Sequence, residues 1–284
     1  MPELPEVEIT ARLIGAAGAG AEVESALAPG INALKTFDPP LSALEGERIL
    51  GVRRRGKLFL AEFSGELTVM IHLMSAGRLQ LFDTRASLRD KTSRLLLRLG
   101  DGRELRLREF GTRQRAWVKL LRSAEVEGEE TLVELGPEAW PDPPPLPELL
   151  QLLDQPRPLY ALLRDQHVIA GIGRSWVDEI LHTAKLSPFK RGADLDEAEA
   201  AALREAIIER LGGAIAHYEE AIKLPIPDKL PMPLTVHRRN GQPCPRCGER
   251  LEAVFYEDYV MCYCPVCQTE GKVLKDRRLS RLLK

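Results

Sequence analysis

Apolar positions change their spacing along the chain, and each change marks a change of architecture. Between residues 5 and 16, Val7, Ile9, Leu13 and Ile14 recur at mostly helical intervals behind Pro5, a residue suited to a first helical turn. A short amphipathic helix is predicted at the very N-terminus. From about residue 47 to 122 the pattern shortens into β-rich runs at 49–52, 58–63, 67–73, 78–82, 94–99, 104–107 and 116–120. Turn signals such as Ser64-Gly65 and Gly100-Asp101-Gly102 separate several of them, which predicts an antiparallel sandwich or barrel. Beyond residue 148 the periodicity is helical again, over 149–153, 159–164, 175–184 and 197–222, with Asp194 as candidate cap for the last helix.

The fold class read from this order is α+β: an N-terminal helix plus an antiparallel β-sandwich, then a helical domain. A chain of 284 residues is long enough for two ordinary domains. The boundary is expected where linker composition appears, at Pro141-Asp-Pro-Pro-Pro-Leu-Pro147. The segments are therefore drawn as a catalytic β-sandwich domain over 1–122, an acidic proline-rich linker over 123–148, a helical domain over 149–234, a cysteine module over 235–272 and a basic tail over 273–284. With 44% hydrophobic and 29% charged residues the chain is neither disordered nor fibrous. No apolar run reaches the roughly 20 residues that span a bilayer, and the acidic, proline-interrupted start is unlike a signal peptide, so a cytoplasmic protein with no membrane partner is expected.

A net charge of −2 argues mildly against a nucleic-acid partner, but its distribution is uneven. Arg122 and Arg157 bracket a stretch without Lys or Arg, whereas the last 50 residues hold 10 Lys/Arg against 6 Asp/Glu. Basic residues also cluster at Arg53-Arg54-Arg55-Gly-Lys57 and from Arg106 to Lys119, enough for one face attractive to a polyanion or for a set of solvated faces.

Two Cys-x2-Cys knuckles, Cys244/Cys247 and Cys264/Cys267, lie 16 residues apart. That spacing fits a zinc ribbon in which each knuckle supplies two thiolates of a tetrahedron, with Val254–Tyr256 and Tyr259–Tyr263 as the intervening hairpin. Four thiolates leave no open position, so one structural zinc per chain is expected. Cys262, two residues before Cys264, reads as a strand residue or an alternative ligand.

The opening Met-Pro-Glu-Leu-Pro-Glu-Val-Glu carries the other candidate chemistry. Removal of Met1 exposes the secondary amine of Pro2, whose ordinary α-amino pKa of roughly 8 leaves a usable neutral fraction. Attack on an aldehyde-level carbon gives an iminium ion, an electron sink that promotes elimination, and the adjacent Glu3 can move a proton. If Met1 stays, the Pro2 nitrogen is an amide and cannot attack. Read alone, these residues better suit a helix start or a fraying terminus.

This N-terminal motif, the β-rich half with Lys57 in Arg-Arg-Gly-Lys-Leu, the helical half with Ile169-Ala-Gly-Ile-Gly173 and the four-cysteine ribbon occur in that order. Together they resemble the formamidopyrimidine-DNA glycosylase and endonuclease VIII family of base-excision repair, over nearly the whole chain. The resemblance implies a DNA glycosylase with abasic-site lyase activity that excises oxidised bases and cuts by β,δ-elimination. Its partner would be double-stranded DNA carrying a damaged base or abasic site, held in a basic cleft, by a monomeric, nucleoid-associated bacterial enzyme. It implies a helix-two-turn-helix element at Gly171–Ala184 presenting backbone N–H groups to phosphate. Pro2 is then nucleophile, Glu3 the acid for sugar-ring opening, Glu6 a supporting carboxylate or merely a first-turn helix acid, and Lys57 a cleft cation. His72 is a phosphate contact or an ordinary strand histidine.

Several positions depart from the family pattern. Arg174 stands where asparagine is usual after Gly173, Tyr259 where the ribbon hairpin carries arginine, and His167 where lysine is common. Void-filling residues fall near Met74-Ser75 and Arg113-Gln114, with Arg113 facing the orphaned base. These departures leave lesion choice open. They also leave two alternatives, an abasic lyase with little base excision and a noncatalytic binder of damaged or structured DNA; a generic zinc-ribbon interaction protein would leave the N-terminal motif unexplained.

Overall fold

The N-terminal helix runs over Leu4–Gly18 (α1) in the computed structural model, which describes residues 2–30, 32–111, 113–256 and 259–275. Its apolar stripe, Leu4, Val7, Ile9 and Ile14, is buried, each such side chain contributing about 1.5–3 kcal/mol relative to exposure. Eight strands follow: β1 (Val23–Leu27), β2 (Ile49–Arg55), β3 (Leu58–Phe63), β4 (Leu67–His72), β5 (Gly77–Phe82), β6 (Ser93–Leu99), β7 (Glu104–Glu109) and β8 (Trp117–Arg122). They form two four-stranded antiparallel sheets, ordered β1-β6-β7-β5 and β2-β3-β4-β8. The seven predicted strands are all present. β1 is additional: in Val-Glu-Ser-Ala-Leu only Val23 and Ala26 are buried, and a bulge between Val23 and Ser25 breaks the alternation a sequence reading relies on.

α1 packs on β2 and β3, and Arg54 of β2 donates to Glu8 at 2.7 Å. Gly15 allows this approach, since a Cβ there would sit 3.1 Å from the Val52 backbone nitrogen. The two sheets, α1, a short helix α2 (Glu130–Val133) and residues 215–231 make one compact unit, Met1–Glu134 with Ile215–Pro231.

The second unit comprises Leu135–Ala214 and Met232–Lys284. Its helices are α3 (Leu146–Leu153), α4 (Leu159–Leu162), α5 (Arg174–Thr183) and α6 (Glu197–Ala221), the last ending in residues of the first unit. The ribbon adds the hairpin β9 (Glu252–Phe255) and β10 (Val260–Tyr263) and the short helix α7 (Pro265–Thr269). The cap of α6 differs from expectation. Asp196 accepts the Glu199 N–H at 2.8 Å while the Glu199 carboxylate takes the Asp196 N–H at 3.1 Å, a capping box that requires a three-residue offset. Asp194 lies in a preceding 3-10 turn and pairs with Arg191. The tail residues Leu279, Leu282 and Leu283 lie outside the described residues.

A buried acid ties the loop leading into the ribbon to α5. Glu179, 1% exposed, accepts the backbone N–H groups of Val236, His237 and Thr235, at 2.8, 2.9 and 3.0 Å, together with the Thr235 hydroxyl and Arg210. Its neighbour Asp178 is 2.6 Å from His237 Nδ1 and accepts the Cys262 N–H at 3.1 Å. Burial lifts the Asp178 carboxyl to about 7. Glu179→Ala strands several buried donors and an arginine, which costs about 3–5 kcal/mol and lowers the thermal midpoint by on the order of 10 °C. A calorimetric midpoint unchanged from the parent would contradict this role.

Candidate active site

Pro2 is half-buried immediately ahead of α1, and Glu3, buried, is the helix N-cap. Glu6 occupies the third helical position, from which a side chain reaches back over the helix start. Its Oε2 accepts the Glu3 backbone N–H at 2.8 Å, and the Glu3 carboxylate takes the Glu6 N–H in return. The other Glu6 oxygen accepts the hydroxyl of Tyr218, near the end of α6, at 2.7 Å. Burial and the nearby Glu6 charge push the Tyr218 hydroxyl well above its ordinary range, so it remains a donor. Glu6 is thus a first-turn helix acid that also anchors the backbone of Glu3. Sequence reasoning missed Tyr218, which lies 212 residues from Glu6.

Lys57 follows Gly56 in the two-residue turn joining β2 to β3. Gly56 has a φ of 56°, as the first position of a type II′ hairpin turn demands. His72 ends β4, opposite Leu58 on one side and Trp117 on the other, with its ring stacked on Trp117 at 5.7 Å. Its Nδ1 accepts the Met74 N–H at 3.0 Å, which leaves the proton of the neutral ring on Nε2. Burial, and then the charge of Lys57, press the His72 pKa down to about 4. The strand histidine is therefore a neutral donor beside a cation.

Ser75 is exposed in the β4–β5 connection and Arg113 is exposed in the β7–β8 loop. These two loops meet where Phe110 donates its N–H to the Ala76 carbonyl at 3.3 Å. Gly77 is required there, because a Cβ would lie 2.4 Å from the Leu73 carbonyl oxygen. Gln114 is engaged with β6 and the segment before it, accepting from Arg94 at 3.1 Å and donating to the Lys91 carbonyl at 2.8 Å. A buried carboxylate the sequence did not single out, Glu109, takes the N–H groups of Arg115 and Ala116 at 2.7 and 2.9 Å and holds the base of the Arg113 loop.

In the second unit, Gly173 caps α5 and Arg174 is its first residue. The glycine loop before it is braced by Gln166, whose amide donates to the Arg164 and Ile172 carbonyls and accepts the Gly171 N–H, each at 2.9 Å. His167 is exposed. Tyr259, ahead of β10, stacks on Tyr256 with ring centroids 4.3 Å apart.

The sulfurs of Cys244, Cys247, Cys264 and Cys267 all lie within 4.8 Å of one another. Cys244–Cys267 and Cys247–Cys264 are 3.9 and 3.5 Å apart. A zinc ion with sulfurs at about 2.3 Å in a tetrahedron requires spacings of roughly 3.8 Å, so the four cysteines fit a structural zinc. His182 Nε2, 3.2 Å from Cys244, supports this ligand from outside, and Arg246 fastens the first knuckle to the end of α5 through the His182 and Thr183 carbonyls. Cys262 is not among the four. It packs in the ribbon core, and its sulfur accepts the Arg238 N–H at 3.2 Å.

The His72 geometry gives a direct test. The ring stays neutral from pH 8 to 5 and shows the Nε2–H tautomer in nitrogen NMR, with a midpoint near the 4 set by burial and Lys57. Because the unfolded chain takes up this proton near 6.5, the site makes stability fall as pH drops from about 6.5 to about 4. A midpoint at the unperturbed value would contradict the assignment.

Residues 1–114 match the formamidopyrimidine-DNA glycosylase N-terminal domain, and residues 135–225 match the formamidopyrimidine-DNA glycosylase H2TH domain. The formamidopyrimidine-DNA glycosylase of Pediococcus pentosaceus is 33% identical over 278 residues, covering 94% of this chain and 99% of that protein. The Lactococcus lactis Fpg (MutM), solved in a complex with DNA containing N7-benzyl-Fapy-dG, superposes with a TM-score of 0.84 at 27% identity, over 94% of this chain and all of that one. The same protein solved with DNA containing an abasic site gives a TM-score of 0.84, over 94% of this chain and 99% of that one. With Pro2 ahead of the capped helix α1, the two antiparallel sheets and the four-cysteine ribbon, these likenesses make the chain a member of the formamidopyrimidine-DNA glycosylase family.

Proposed function

We propose that this base-excision DNA glycosylase works through Pro2, freed by removal of Met1, as nucleophile on damaged or abasic DNA. The Pro2 lone pair bonds to C1′ of the damaged nucleotide while the glycosidic bond breaks toward the base; the Pro2 nitrogen gives up its proton, and the departing base takes one up. Glu3 gives its proton to O4′ as the C1′–O4′ bond opens, leaving an iminium ion. Loss of a C2′ proton expels the 3′ phosphate, and loss of a C4′ proton then expels the 5′ phosphate.

The observation that carries this reading is the paired capping of Glu3 and Glu6, with Tyr218 on the second Glu6 oxygen. It holds the residue next to Pro2 in one geometry, as a positioned acid requires. Lys57 and the neutral His72 supply a cation and an N–H donor for phosphate, and Ser75 and Arg113, on adjoining loops, occupy the space an extruded base leaves. Gln114 supports Arg113 through the Lys91 and Arg94 contacts. Arg174 and Tyr259 act in the second unit on the DNA backbone. Oxidised bases and abasic sites are the proposed substrates, and a DNA substrate brings the enzyme to the nucleoid.

Borohydride added to enzyme and abasic duplex traps a covalent adduct, and the strand is cut on both sides of the sugar. Pro2→Gly loses the adduct, and Glu3→Gln slows cleavage by about 10²–10⁴-fold. A panel of single-lesion duplexes reads base excision separately from lyase activity. Equal cleavage by Pro2→Gly and its parent, with the parent's N-terminus confirmed processed by intact mass, would refute the proline mechanism; binding with no adduct would favour a noncatalytic binder.

A further inference from the structure

Tyr259 lies among three other side chains besides its stacking partner Tyr256. The Arg164 guanidinium carbon is 4.4 Å from the Tyr259 ring centre and 5.0 Å from that of Tyr160. The Arg174 guanidinium carbon is 4.9 Å from the same Tyr259 ring, and Tyr160 and Tyr259 run nearly parallel, 12° apart, with centres 5.9 Å apart. Arg164 precedes the glycine loop and Arg174 follows it, so the two cations approach one ring from opposite ends of that loop.

Among the described residues the Arg164 side chain makes no hydrogen bond and no ion pair; its contacts are the two tyrosine rings. Each ring contact at a partly exposed site is worth about 0.5–1 kcal/mol, enough to orient the guanidinium but not to use its five N–H donors. A polyanion supplies acceptors for those idle donors.

We propose that Arg164 is a DNA-backbone ligand, held flat by Tyr160 and Tyr259 and acting with Arg174 as a two-guanidinium clamp on phosphodiester oxygens. Tyr259 is the positioning residue of this clamp. A guanidinium suits the place where an ammonium would not, because a planar fork can lie on an aromatic face while its edge donates to two oxygens. The proposal rests on the reading of the chain as a DNA repair enzyme, and it adds a backbone contact supplied from the residue before the glycine loop, steadied by the ribbon.

The test is the affinity of the full-length, zinc-loaded protein for an abasic-analogue duplex, measured across a salt series. Arg164→Ala is expected to weaken binding about tenfold at physiological salt. It should also lower the slope of log affinity against log salt by about one. Arg164→Lys keeps the charge but cannot lie on the rings, so it should keep most of the slope and lose affinity. Tyr259→Leu should behave like Arg164→Ala; a merely structural tyrosine would leave the slope unmoved. Parental affinity and slope in Arg164→Ala would overturn the proposal. The borohydride adduct of the parent is read on an authentic abasic duplex alongside: its absence would refute the catalytic reading, while the Arg164 variants still decide the clamp.

Discussion

The chemistry assigned to this chain depends on a buried carboxylate at its start. Glu6 holds the Glu3 N–H with one oxygen and the Tyr218 hydroxyl with the other. Terminal residues ordinarily fray. Here Glu3, the residue that precedes α1, is fixed to the helix by the capping box, and the helix is fixed to the sheet by its buried stripe and by the Arg54–Glu8 contact. Pro2, the proposed nucleophile, therefore adjoins a residue that is held in place. Losing any one donor leaves a buried acceptor short of its partners, at a cost of about 1–3 kcal/mol.

The same device recurs at three loops of the fold. Glu109 takes two consecutive backbone N–H groups at the foot of the Arg113 loop, Glu179 takes three on the way into the ribbon, and the Gln166 amide braces the glycine loop ahead of Arg174. In each case a side chain rather than a regular ladder satisfies loop backbone that would otherwise need water. The loops keep non-repetitive shapes and a defined position, and Arg113 stays exposed on one of them.

What could be read in advance follows from how local each signal is. α1, the strands from β2 to β8 and helices α3 to α6 were legible because their apolar periodicity lies within a few residues, and the cysteine pairs because zinc geometry restricts spacing. β1 was not, since its alternation is interrupted by a bulge. The α6 cap was misplaced by two residues, because Asp194 and Asp196 are equally good caps on paper and only the return contact from Glu199 selects between them. Glu109, Glu179, Gln166 and Tyr218 were illegible for a different reason: acids and amides in sequence read as surface. Their roles come from partners brought together by folding, as with Tyr218 and Glu6, 212 residues apart. Arg164 belongs to the same group, an unremarkable cation until two tyrosines lie against it.

The measurement closest to the central claim is the single-turnover rate of borohydride-trapped adduct formation by Tyr218→Phe on an abasic duplex, with enzyme in saturating excess. The substitution keeps the ring and removes only the hydroxyl that steadies Glu6, so a loss of about 1.4 kcal/mol of positioning slows adduct formation roughly tenfold. A folded Tyr218→Phe enzyme that forms adduct at the parental rate would contradict the account.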